Sequence, residues 1–382
     1  MTVLDKFSFI FKVFLVGTVF LSTESRAAED DVVTELAHEF MQKNKVQGMS
    51  VALVEGNSSR IFYFGSADSQ GKKPVSANTI YEIASFTKTF TATLAARAAI
   101  EGRLNLDSPF VDHFPELNNA QINSITSRQL LGHVAFLPYQ FTPPPKNFAD
   151  LTQSLNQFTP PVLPGTHYKY SNVGIGIMGY VLQNVYKKKY EEILKEDILN
   201  PLHMNSTYLY VPSENEKDVS VGINKEGKIV PFNKDIGPVF ATWALKSTIG
   251  DMAKYMTAQI HPQTISDKTL IKALALVHEN QYCFENSVAC EQLAWQSHIL
   301  SELKNARSDT FGTQKISQSH TPKFTPQNIF IDKTGGTYGM SSYMAYIPGR
   351  NVGVVILMNK SVNDEKIALG RDILSLWIAS KK

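Results

Sequence analysis

Apolar positions at Val32, Val33, Leu36, Phe40 and Met41 recur at helical spacing and stop short of Gly48, which predicts a helix over 31–47. Met49 to Val54 and Arg60 to Phe64 then read as two strands around the turn Glu55-Gly56-Asn57. An Ala-rich run predicts a long helix from about Ser85 to Ile100, with Gly102 just past its end. The middle of the chain is broken by Pro143-Pro144-Pro145, Pro160-Pro161 and Pro164-Gly165, a stretch that must be loop, and residues 174–199 again read as helical. Near the end come a strand from Ser342 to Ile347, the turn Pro348-Gly349-Arg350-Asn351 and a strand from Val352 to Met358. A final helix from about Glu365 carries Ile367, Leu369, Ile373, Leu374, Leu376 and Trp377.

Helix–strand–strand at one end and strand–strand–helix at the other predict a single sheet built from both termini. The expected fold is therefore α+β: an antiparallel sheet flanked by helices, made from residues 28–100 and 215–382, with an inserted, mostly helical domain over 101–214. A site between the two layers follows, because such junctions supply concavity. The N-terminus adds an address. Lys6 and Lys12 precede the largely apolar run Val13–Leu21, and Ser25 and Ala27 suit the −3 and −1 positions of a peptidase site. That run is short of the ~20 residues a membrane span needs, so residues 1–27 are expected to be a cleavable signal peptide directing the chain to the periplasm. No later segment is long enough to cross a membrane.

Composition narrows the chemistry. With 382 residues and 43% hydrophobic side chains there is ample material for a core, and 37 basic against 35 acidic side chains give no extended positive field for nucleic acid. The nine histidines form no metal-binding pattern. The two cysteines, Cys283 and Cys290, either close a small loop in an oxidising compartment or remain separate thiols.

Three short motifs carry reactivity. Ser85-Phe86-Thr87-Lys88 places a hydroxyl and an amine on one helical face, nearly one turn apart. Serine needs an adjacent base to act as a nucleophile, and a lysine serves when burial or a neighbouring cation lowers its pKa. The spacing alone is weak, since Ser69-Gln70-Gly71-Lys72 and Ser301-Glu302-Leu303-Lys304 share it without an apolar helix to follow. Tyr170-Ser171-Asn172 offers a phenol to relay protons and an amide to bind a carbonyl. Lys333-Thr334-Gly335, followed by Gly336, offers a carboxylate-binding pair on a strand edge that a substrate backbone can approach.

In this order and at these wide separations, the three motifs resemble those of the penicillin-recognising serine enzymes, and the leading tyrosine resembles the class C (AmpC-type) β-lactamases. Pro164-Gly165-Thr166, Leu137-Pro138-Tyr139-Gln140, the run Pro201 to Thr207, Lys246-Ser247-Thr248 with Asp251-Met252-Ala253, and Asn359-Lys360 extend the resemblance over most of residues 30–380. The resemblance implies a monomeric enzyme that hydrolyses a small β-lactam through an acyl-serine ester, with no metal or organic cofactor. Ser85, Lys88 and Tyr170 would be catalytic, and the backbone N–H groups of Ser85 and Gly336 would form the oxyanion hole. Gln140 and Asn172 would hold the substrate's side-chain amide, Lys333, Thr334 and Gly335 its carboxylate end, and Trp243 would stand where the family has a tyrosine lining the pocket.

The chain departs from the pattern in places. Asp332 stands where the family usually has histidine and is expected to weaken Lys333 by partial neutralisation. Tyr338 and Met340 follow the third motif, and residues 280–325 have no clear counterpart. Glu196 in Glu196-Asp197-Ile198-Leu199-Asn200 imitates a class A motif but runs into Pro201, so a surface position is expected. Three rival activities share the motifs: a D-alanyl-D-alanine peptidase, which would be acylated and deacylate slowly; a carboxylesterase, which often lacks a good third motif; and a non-catalytic receptor, which would need a span or a signalling domain.

Overall fold

The computed structural model describes residues 29–279, 281–285, 287–305, 312–317 and 322–381. The expected signal peptide, 1–27, lies outside them. Helix α1 spans 29–44 and buries Val33, Ala37 and Phe40, the face that the apolar spacing predicts. Strands β1 (Gly48–Glu55) and β2 (Ser58–Gly65) form an antiparallel hairpin, each extending a residue or two past its pattern at either end. Helix α2 (Thr87–Ile100) follows a single turn of tighter helix, Ala84–Phe86, and α3 runs Asn172–Tyr186. The expected helix over 174–199 is three pieces: α3, a short helix Tyr190–Leu194 and a wider turn Lys195–Leu199, because Lys187 adopts a left-handed conformation that ends α3.

Helices α4 (Ile249–Ile260) and α5 (Lys268–Val277) precede strands β3 (Tyr282–Cys283), β4 (Ala289–Glu291), β5 (Gln296–Ile299), β6 (Ile329–Gly336), β7 (Ser341–Ile347) and β8 (Val352–Met358). Helix α6 (Glu365–Ser380) starts where its pattern predicts. Among the described residues these strands make one eight-stranded antiparallel sheet in the order β2-β1-β8-β7-β6-β5-β4-β3. Both chain ends build it, as the termini foretold. The 280–325 stretch supplies its far end through β3, β4 and β5. Cys283 and Cys290 sit directly opposite each other on β3 and β4 and are joined as a disulfide.

Period-two alternation sorts the sheet's side chains onto two layers. Val354, Ile356 and Met358 of β8 pack with Val33, Phe40, Ile373 and Leu374 of α1 and α6, whereas Val355 and Leu357 face Met252, Tyr255 and Met256 of α4. Helix α2 is buried on almost every side, which its mixed Ala/Thr sequence permits. The hydroxyls of Thr87, Thr89 and Thr93 return to carbonyls of the preceding turn, and that of Thr91 donates to the Ala241 carbonyl at 2.6 Å. A central helix of small residues thus brings the first motif deep into the molecule, between the sheet and α3. No described helix is long and apolar enough to cross a membrane.

Candidate active site

The Ala84–Phe86 turn presents Ser85. Ala84 takes a positive φ of 52°, a conformation costing on the order of 1–3 kcal/mol for a residue with a Cβ. Its surroundings hold it there: the Ile83 N–H donates to the Leu245 carbonyl at 3.0 Å, and the Thr87 hydroxyl donates to the Ala84 carbonyl at 2.7 Å. The third motif closes on this turn from the sheet. A Cβ on Gly335 would come within 2.8 Å of the Ile83 carbonyl oxygen and collide with the Ser342 hydroxyl, so only glycine lets β6 lie against the serine's turn.

Lys88 follows one helical turn later, with its side chain fully enclosed. Its Nζ donates to Ser85 Oγ at 3.1 Å and to the Thr242 carbonyl at 2.9 Å. Burial, reinforced by the charge of Lys333, lowers its pKa well below that of an ordinary lysine. A lysine so placed gives up its proton more readily than an ordinary one, as a base must. Two of the three serine–lysine candidates fail the same test: Ser301 is exposed in a surface turn and Ser69 sits in a loop. Glu196 is exposed and paired with Lys188, as its sequence context predicts.

Tyr170 precedes α3 and Asn172 begins its first turn. Ser171 caps it by accepting the Gly174 N–H at 2.9 Å, and its hydroxyl donates to the Pro138 carbonyl at 2.7 Å. Those two bonds tie the second motif to the Gln140 loop. The Tyr170 ring is buried, with Lys88 Nζ 4.8 Å and Lys333 Nζ 4.9 Å from its centroid, and the Ser85 side chain lies close to its hydroxyl. Burial pushes its pKa far above the ordinary phenol value, so the resting group is a neutral phenol. Asn172 Oδ1 is buried without a hydrogen-bond partner.

Lys333 and Thr334 lie on β6, an interior strand rather than the simple edge its sequence implied. Strand β5 pairs only with Ile329–Asp332, so Lys333 to Gly336 have a partner on the β7 side alone. The open edge belongs to the motif itself. A cleft of about 940 Å³ opens beside it, and Ser85, Gln140, Asn172, Trp243 and Gly336 are all in its lining. Lys88, Tyr170 and Lys333 lie beneath that floor. Gln140 is exposed at the rim, and Tyr338 stands 85% exposed at the mouth.

Asp332 has other partners than the neutralising role expected of it. Its Oδ2 accepts from Arg371 and from the Tyr343 hydroxyl, both at 2.8 Å, and His298 Nε2 lies 3.3 Å from Oδ1. Burial would raise its pKa, but His298 and Arg371 outweigh that and hold it well below the usual carboxylate range. Arg371→Leu leaves this buried charge under-compensated and is expected to cost about 3–5 kcal/mol in urea unfolding. Because the Asp332 pKa is depressed, the stability it contributes is present above the unfolded value and is lost as pH falls.

Two further groups in the site carry no motif. His133, on the loop after Leu131, packs its ring 4.4 Å from Tyr170, and its Nδ1 accepts the Ser171 N–H at 3.2 Å. Burial, then the charges of Lys333 and Lys88, hold it neutral by pushing its pKa well below the ordinary histidine value. Glu291 on β4 is 1% exposed and interacts electrostatically with both Lys333 and Tyr170. Neither was legible: a lone histidine and a lone glutamate in an unmatched stretch give no spacing to read.

The motif stretches outside the cleft serve structure. Thr248 caps α4 through the Asp251 N–H, Thr207 donates to Asp251 at 2.9 Å, and Asn359 bridges Gly48 and the Ser66 carbonyl.

Comparisons with known proteins match the chain over most of its length. The family described as Beta-lactamase matches residues 33–376. A β-lactamase of Pseudomonas fluorescens is 30% identical over 363 residues, covering 93% of this chain and 99% of that protein. A solved class C β-lactamase superposes with a TM-score of 0.84 at 28% identity, covering 92% of this chain and 98% of its own. A solved structure described as a β-lactamase/D-alanine carboxypeptidase, from Pseudomonas syringae, gives the same TM-score at 29% identity, covering 91% and 99%.

Proposed function

Since the chain belongs to the Beta-lactamase family, we propose that it is a class C serine β-lactamase, opening the β-lactam amide of cephalosporins and penicillins through an acyl-serine ester. The observation that carries the reading is the Lys88–Ser85 contact at 3.1 Å, made by a lysine whose pKa burial and Lys333 hold well below the ordinary value. Ser85 Oγ attacks the ring carbonyl carbon as its proton passes to the Lys88 amine. The carbonyl oxygen becomes an oxyanion held by the N–H groups of Ser85 and Gly336, a contribution of roughly 3 kcal/mol per donor. As the C–N bond breaks, the neutral Tyr170 phenol gives its proton to the departing ring nitrogen and regains one from Lys88. Water, activated by the same pair, then cleaves the ester.

Lys333 and Thr334 hold the substrate carboxylate along the open edge of β6. Asn172 and Gln140 bind the side-chain amide, and Trp243 walls the cleft. The n-, h- and c-region order of residues 1–27 supports export to the periplasm, and the completeness of the site within one chain supports a monomer.

A time course of chromogenic cephalosporin hydrolysis at known enzyme concentration tests the reading. Sustained turnover of many equivalents is expected. A burst of one equivalent that stops would favour the second reading, a D-alanyl-D-alanine peptidase; the Pseudomonas syringae neighbour is described as a β-lactamase/D-alanine carboxypeptidase. Absence of any burst would favour an esterase.

A further inference from the structure

The stretch 280–325, which carries no expected motif, supplies the far end of the sheet. Among the described residues, β3 is its last strand and pairs with β4 at two register positions, Tyr282 with Glu291 and Cys283 with Cys290. So short a ribbon is marginal by backbone pairing alone. The Cys283–Cys290 disulfide fixes it covalently. Alternation puts the disulfide on one face of the hairpin and Tyr282, Phe284 and Ala289 on the other. Phe284 and Ala289 belong to the buried cluster that holds Val134, Tyr168 and Tyr170, and Tyr282 packs against it.

We infer that this disulfide-closed hairpin is a positioning element of the active site: it backs the two segments that hold Tyr170 and so keeps the Tyr170 hydroxyl aimed at the departing ring nitrogen. This deepens the β-lactamase reading and rests on it.

The contacts run in two lines. In the first, a Cβ on Gly132 would come within 2.5 Å of the Tyr282 ring, so only glycine lets that ring lie against the backbone just before His133. His133 in turn holds both chain neighbours of Tyr170. Its carbonyl accepts the Lys169 N–H at 2.8 Å and its Nδ1 accepts the Ser171 N–H at 3.2 Å, while its ring lies 4.4 Å from that of Tyr170. In the second, the Phe284 ring meets the Tyr168 ring edge-on, with centroids 5.2 Å apart. Phe284 also forms an antiparallel bridge with Ile316, and the Cys283 carbonyl accepts the Ser317 N–H at 2.8 Å. The segment so held pairs Gln314 with Tyr168 and Lys315 with His167, and the Ile316 N–H donates to the Thr166 carbonyl at 2.9 Å. Ser85 and Lys88 are placed separately, by the Ala84–Phe86 turn and by α2. Loosening the hairpin therefore bears on the phenol and leaves the nucleophile and its base where they are.

The test reads kcat/KM, which reports the steps through acylation, on two substrates with the same phenylacetamido side chain. Benzylpenicillin needs its ring nitrogen protonated to open, whereas a p-nitrophenyl ester expels a phenolate that needs no proton. Wild-type turnover of benzylpenicillin is measured first, and its absence would defeat the β-lactamase reading and this inference together. With turnover present, Cys283→Ala/Cys290→Ala, shown by circular dichroism to melt above the assay temperature, is expected to lose about tenfold on the penicillin and less than about twofold on the ester. In a Tyr170→Phe background the same pair should change the penicillin constant by less than about twofold, because the group through which it acts is gone. Phe284→Leu keeps the disulfide but not the ring contact with Tyr168; it should show the same selective loss at about threefold, and it decides the matter if the cysteine variant does not fold. An unchanged ratio of the two constants in a folded variant, or the full loss persisting on Tyr170→Phe, would overturn the inference.

Discussion

Ser85→Ala is expected to lower β-lactam turnover by about 10⁴–10⁶-fold, the scale seen when a nucleophile is deleted from a concerted set. The cause is local. Ser85 Oγ is the partner of Lys88 Nζ at 3.1 Å, and the same turn places no second hydroxyl there. The main chain around it does not depend on that hydroxyl. The positive φ belongs to Ala84, the turn is held by Ile83, Leu245 and Thr87, and Gly335 packs against the Ile83 carbonyl. The cleft should therefore survive, with the N–H of residue 85 still in place. Equilibrium binding of an unreacted cephalosporin is expected to stay within a few-fold of wild type, while intact-protein mass spectrometry finds no drug adduct. A mass increase of one drug in Ser85→Ala would place the nucleophile elsewhere.

What the sequence made legible divides along physical lines. Strongly periodic segments were readable because their burial is one-sided or alternating: β8, with Val354 and Ile356 on one face and Val355 and Leu357 on the other, is the clearest. Motif residues were readable because their chemistry demands fixed residue types at short spacing, and the fold brings Ser85, Lys88, Tyr170, Asn172 and Lys333 around one cleft. The site's electrostatics were not readable. Asp332 was expected to press on Lys333, yet its carboxylate is engaged by Arg371 from the last helix, a partner 39 positions away. Glu291, whose carboxyl bears more strongly on Lys333, comes from β4, two strands away in the sheet. Such contacts are long-range pairings of ordinary residue types, and single-chain spacing carries no signal for them. The break after Tyr186 is different again: Lys187 gives no local warning of a left-handed helix end, which glycine or asparagine would have announced.

The second large effect concerns the base. Lys88→Arg is expected to reduce kcat/KM by about 10³–10⁴-fold, toward the upper end of general-base contributions. Arginine keeps the positive charge and the donors that satisfy the Thr242 carbonyl, so a role for Lys88 confined to placing a cation would be largely preserved. It cannot lose its proton at any working pH, so a role as proton acceptor would vanish. The structure distinguishes these roles beforehand. Lys88 is fully buried, and its pKa is lowered first by that burial and then by Lys333, whereas Tyr170 is pushed the other way and rests as a neutral phenol. Of the two groups beside Ser85 Oγ, the amine is the one prepared to receive a proton. The pH profile carries the decision. In wild type, kcat/KM should fall on the acid side with unit slope as Lys88 becomes protonated. Because the bulkier guanidinium strains a closed site, Lys88→Met is measured alongside, with far-UV circular dichroism to establish folding. In both variants the residual rate should lose that acid limb, whereas Tyr170→Phe should be slow but keep it. An acid limb retained in folded Lys88→Met and absent from Tyr170→Phe would move the base from the lysine to the phenol.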